Sequence, residues 1–135
     1  MSTISIVLTR DGQTTLRKAA YGAVALLSMA RPGPISTTRQ NVTGALALTG
    51  ATGMVGQILA IKEKVVLKGT TAEVAEQVLP ALTRAVAILE TKAPAGTAEF
   101  QRAVTIAVRQ AAATGRGPNL AQNDMIDKIS AALNP

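Results

Sequence analysis

The stretch of this sequence best suited to chemistry is residues 49–56, TGATGMVG. Glycines at this spacing let the backbone turn tightly and bring its amides up to a pyrophosphate, held at the N-terminus of the helix that follows. Residues 45–48, ALAL, could serve as the strand before such a turn. A dinucleotide site also needs an acidic residue about 20 positions further on, at a strand end, to hold the ribose. Counted from Gly56, that window reaches Glu73 and Glu76, which lie in the most regular helical pattern of the chain. No strand pattern follows Thr70, so no parallel sheet is expected around the loop. The glycines are better read as turns and close helix approaches, and no cofactor-binding residue is assigned.

Other chemistry is scarcer still. The chain has no cysteine and no histidine, which removes disulfides, thiolate nucleophiles, zinc fingers and imidazole acid/base catalysis. Its serines therefore have no histidine partner, and a Ser-Lys dyad does not follow from spacing alone. Asp124 and Asp127 are three apart on a helical pattern, where they flank a solvated face. Met29, Met54 and Met125 read as core fillers. No catalytic residue and no metal ligand is assigned, and the chain is expected not to be an enzyme.

Charge offers a second kind of site. The net charge is +6 and the pI about 10.3. Through Lys68 there are eight basic residues against Asp11 and Glu63, whereas from Gly69 onward six bases meet six acids. The excess in the first half could form an anion-facing surface for nucleic acid or another anionic partner, using Arg10, Arg17, Lys18, Arg31, Arg39, Lys62 and Lys64. No run exceeds two adjacent bases, and the aromatics are only Tyr21 and Phe100. Base stacking needs such platforms, so scattered solvated charges are the favoured reading.

The elements that would position any site are helical. Residues 70–91 carry apolar positions at Val74, Val78, Leu82, Ala85, Val86 and Leu89, one stripe of a helix. Thr70 and Glu73 form a capping-box pair at its start. Pro80, inside the pattern, predicts a kink near Glu76 or two abutting helices. Before it, Thr9 or Asp11 caps a helix to about Ala30, with Leu16, Ala20, Ala23, Val24 and Leu27 inward and Arg17 and Lys18 outward. RPGP at 31–34 breaks the chain. Ser36 to Thr38 offer caps for a second helix through Val42, Leu46 and Leu48, and a short helix over 54–62 follows. Residues 62–69 form a loop or brief extended piece. APAG at 93–96 ends the long helix. Thr97 caps the next, with Phe100, Val104, Ala107, Val108 and Ala111 inward and Arg102 and Arg109 outward. GRGP at 115–118 stops it, and Asn119 opens a last helix with Met125, Ile126, Ile129 and Leu133 at core spacing. Residues 1–9 form either a short strand or a loose extended arm.

These elements predict an all-α fold, a compact bundle of about five to six helices in a single domain over residues 1–135. Hydrophobic residues are 47% of the chain and aromatics 1%, so the core must be aliphatic. Residues 41–61 carry no charge, but glycines at 44, 50, 53 and 56 and four polar side chains interrupt them. A spanning helix needs about 20 predominantly apolar residues, so no transmembrane insertion is expected. Residues 1–10 lack the basic n-region of a secretory signal, and a cytoplasmic location is expected.

Three resemblances add to this reading. TGATGMVG resembles the phosphate loop of the extended and atypical short-chain dehydrogenase/reductase family, which implies NAD(P) binding. The Tyr and Lys that this family places four apart are missing, because the only tyrosine is Tyr21 and position 25 is Ala25. LTRAVAILETKAP at 82–94, EFQRAV at 99–104, AVRQAAATGRG at 107–117 and DMIDKISAAL at 124–133 resemble a group of short, uncharacterised bacterial all-helical proteins, which implies a helical domain of unassigned activity. A fainter likeness to the tellurite-resistance helical domain lies in size and helix alternation. The acidic residues associated with metal in that family have no counterpart in the turn Arg31 to Pro34, so no metal site is carried over. The favoured expectation is a non-enzymatic interaction domain that self-associates as a homo-oligomer. Its apolar content exceeds what five small-residue helices need.

Overall fold

The computed structural model describes residues 8–30, 43–45, 47–48, 50, 53–61, 65, 67–114 and 117–135. Residues 1–7 of the arm expected over 1–9, the RPGP break and the start of the second expected helix lie outside the described residues. The fold is all-helical, with no strand among the described residues. Its helices are α1 (Arg10–Met29), α2 (Gly53–Leu59), α3 (Thr71–Lys92), α4 (Ala95–Ala113) and α5 (Leu120–Leu133), with further helical turns at 43–45 and 47–48.

Helix α3 starts where its capping pair dictates. Thr70 Oγ1 accepts from the Glu73 amide at 3.2 Å and Glu73 Oε1 accepts from the Thr70 amide at 3.1 Å. Hydrogen bonding to the Glu73 carboxyl, from the Thr70 backbone amide first and the Thr70 side chain second, holds it below its ordinary value. All six residues of the expected stripe are buried. The helix runs unbroken through Pro80, which corrects the alternative of two abutting helices. Pro80 and Glu76 are both exposed, so the Glu76 carbonyl that loses its partner can turn to water.

Helix α1 packs most extensively on α3 and also touches α2, α4 and α5. Its expected inner face is buried, and so are Gly12, Arg17, Ala19, Gly22, Leu26 and Ser28. A helix enclosed from several sides buries more than one stripe. The pair is antiparallel, because Gly12 lies against Ile88 while Gly22, ten residues on, lies against Val78, ten residues back. A Cβ at Gly22 would stand 2.6 Å from Val78 Cγ2, so the absence of a side chain there sets how closely the two helices approach.

One core runs through the bundle, built from Leu16, Leu27, Leu48, Ile58, Leu82, Leu89 and Ile129, with Phe100 as its fully buried aromatic ring. Carbonyls near helix ends have acceptor capacity to spare, and side chains of neighbouring helices reach them. Gln122 Nε2 donates to Leu27 O near the end of α1 at 3.2 Å. Thr83 Oγ1 donates to Ala132 O at 2.9 Å and Gln101 Nε2 to Leu133 O at 2.7 Å, both at the end of α5. The Tyr21 hydroxyl donates to Leu59 O at the end of α2. Burial pushes the Tyr21 phenol up, and the nearby Arg17 charge partly opposes this.

Two expected caps have different outcomes. Asn119 caps α5 and forms a capping box with Gln122. Thr97 does not cap α4: the N-cap is Pro94, with no side-chain cap bond. The helix starts three residues earlier, because a turn with the Gly96 amide donating to Ala93 O at 2.8 Å already directs the chain. Thr97 then falls in the first turn, where its buried Oγ1 has no hydrogen-bond partner among the described residues.

Candidate functional site

The start of α1 and the end of α3 enclose a groove of about 670 Å³. On one wall stand Leu8, Thr9, Asp11, Gly12 and Thr15, and on the other Arg84, Ala87, Ile88, Thr91 and Lys92. The α3 wall follows helical spacing, each residue three or four positions from another, so five side chains share one face. The α1 wall is fixed by its cap. Thr9 Oγ1 accepts from the Gly12 amide at 3.1 Å, and Gln13 Nε2 donates to Leu8 O at 3.1 Å, fixing the entry of the chain. Thr15 Oγ1 donates to Asp11 O at 2.9 Å, so its hydroxyl is satisfied within its own helix.

The groove is apolar at its base and charged at its edges. Leu8 is buried, Ile88 half-buried and Ala87 exposed. Asp11 stands on the α1 side and Arg84 and Lys92 on the α3 side, all three exposed. Among the described residues no ion pair joins them within the chain; the exposed pair recorded there is Lys128 with Asp124 at 3.0 Å. Unpaired charges of opposite sign on facing walls, above an apolar base, suit a protein surface.

The glycine-rich stretch has a different setting. Gly50 lines a cleft of about 350 Å³ with Ala47, Glu99, Arg102, Ile106 and Gln110. Gly53 opens α2 at φ +79°, and a Cβ there would stand 2.6 Å from Glu99 Oε1. A phosphate brought to this helix start would meet a carboxylate, a like charge that opposes it. The parallel sheet on which such a loop depends does not occur among the described residues.

Three of the seven proposed anion-binding residues fall among the described residues, all on α1. Arg10 is exposed, Lys18 half-buried and Arg17 buried, with 3% of its surface accessible. The outward placement expected of Arg17 is thus corrected: α1 is covered on the face next to Leu16 as well. Arg31, Arg39, Lys62 and Lys64 lie outside the described residues. Asp124 and Asp127 are exposed, as on a solvated face. Among the described residues there is no group of three or more acidic side chains placed to hold a metal ion, and no described helix is long and apolar enough to cross a membrane.

The sequence does not reveal the groove, although the 84, 87, 88, 91, 92 spacing is present in it. Alanine and threonine give that face little contrast beside the aliphatic core stripe. Only the antiparallel placement of α1 turns it into a wall. No protein-family model, curated protein or solved structure matches the chain.

Proposed function

We propose that this is a non-enzymatic helical domain that works by binding protein, its partner being a second copy of itself, and that it acts in the cytoplasm. The observation that carries this reading is the α1–α3 groove, with an apolar base between an acidic and a basic wall. A chain without histidine or cysteine also lacks the side chains most used for acid/base and nucleophilic catalysis. Sedimentation velocity across a wide range of concentrations tests the reading. A mass that rises toward the dimer with concentration is expected, and a monomer throughout refutes self-association.

A further inference from the structure

Resting on that reading, we propose how the second copy sits: the two chains join groove to groove about a twofold axis running along the groove, so that Asp11 of each meets Arg84 and Lys92 of the other. Three observations lead there. The first is the division of charge, acid on the α1 wall and base on the α3 wall, unpaired within the chain among the described residues. A surface that carries both signs on separate walls is complementary to its own rotated copy.

The second is the register. Because Gly12 faces Ile88, Asp11 stands level with Leu89. Lys92 is then three residues along α3 and Arg84 five residues back, about 4.5 and 7.5 Å along the axis at the helical rise. Rotation about an axis along the groove keeps each residue at its height and exchanges the walls. Asp11 therefore comes opposite the stretch of the other copy that Lys92 and Arg84 bracket, within reach of two long side chains. Rotation about an axis across the groove would instead set acidic wall against acidic wall and basic against basic, an arrangement that like charges disfavour.

The third is the base. Ala87 and half-buried Ile88 are apolar groups that a second copy would cover.

A charge-swap experiment on the full chain tests this. Asp11→Arg forms one variant and Arg84→Glu with Lys92→Glu the other, with helicity checked by circular dichroism. Each alone sets like charges together and is expected to weaken self-association by about tenfold or more. Mixed, they restore every contact: the arginine introduced at 11 meets the two glutamates of the other chain, and the unaltered Asp11 meets unaltered Arg84 and Lys92. Native mass spectrometry of the mixture, with one chain isotope-labelled, should show the mixed dimer in preference to either like pair. An unaltered chain that stays monomeric overturns this arrangement together with the self-association reading. A dimer that neither variant weakens leaves self-association standing and removes the groove as its site. Weakening by both without recovery in the mixture overturns the twofold pairing.

Discussion

Replacing Gly22 by alanine adds one methyl group where α1 and α3 come closest. The new Cβ would stand 2.6 Å from Val78 Cγ2, 3.3 Å from its Cγ1 and 3.4 Å from Leu67 Cδ1. Carbon atoms at rest sit about 3.5–4.0 Å apart, so the first contact is short by about 1 Å. Val78 cannot move aside easily: it is fully buried, and a β-branched side chain in a helix has essentially one rotamer. Overpacking of this kind costs about 1–3 kcal/mol, while alanine recovers about 1 kcal/mol of helix propensity over glycine. The variant should lose about 1 kcal/mol, or about 3–4 °C in Tm for a domain of this size. A double-mutant cycle separates the two effects. Val78→Ala alone should cost about 2 kcal/mol from lost burial. In the double variant the clash disappears and the propensity gain remains, so the total should be about 1 kcal/mol instead of the additive 3, a coupling of about 2 kcal/mol. Urea denaturation with an unchanged m-value measures all three. If Gly22→Ala stabilises the chain and its effect adds simply to that of Val78→Ala, the close approach does not exist and the α1–α3 register built on it fails.

Two further perturbations address the helix ends. Gln122→Leu removes both the back-bond of the α5 capping box and the donor to Leu27 O. It should cost about 2 kcal/mol, whereas an exposed cap replaced in isolation would cost about half that, and urea midpoints distinguish the two. Glu73→Gln keeps an acceptor for the Thr70 amide but removes the charge. Because the folded carboxyl is held below its ordinary value, its stabilisation is present above the unfolded pKa and is lost as pH falls through the folded one. The stability difference between the parent and Glu73→Gln should therefore hold at neutral pH and shrink from about pH 5 downward. Parallel pH profiles would show that the Thr70 bonds do not hold the carboxylate in solution.

Much of the architecture is written locally. The stripe from Val74 to Leu89, the Thr70–Glu73 box, the cap at Asn119 and the inward face from Phe100 to Ala111 depend on residues within a turn or two of one another. Neighbours in sequence are enough to reveal them. Thr97 shows where that local logic fails, because a hydroxyl before an apolar stripe reads as a cap even when a backbone turn has already begun the helix.

The chain's own order of residues determined that it folds as aliphatic helices, where most of them begin, and that imidazole and thiol chemistry are absent. Tertiary structure decided which polar groups go inside and which faces are left over. Arg17 is one residue from the inner stripe of α1 and is covered because neighbours enclose that helix on several sides. Gln122 is buried because the end of α1 presents a carbonyl to it, ninety-five residues away in sequence. The groove exists because the start of α1 lies antiparallel to the end of α3. Periodicity along one helix specifies its own faces, but a wall, a buried donor or a pair of opposed charges is a relation between helices, and such relations arise only when they pack.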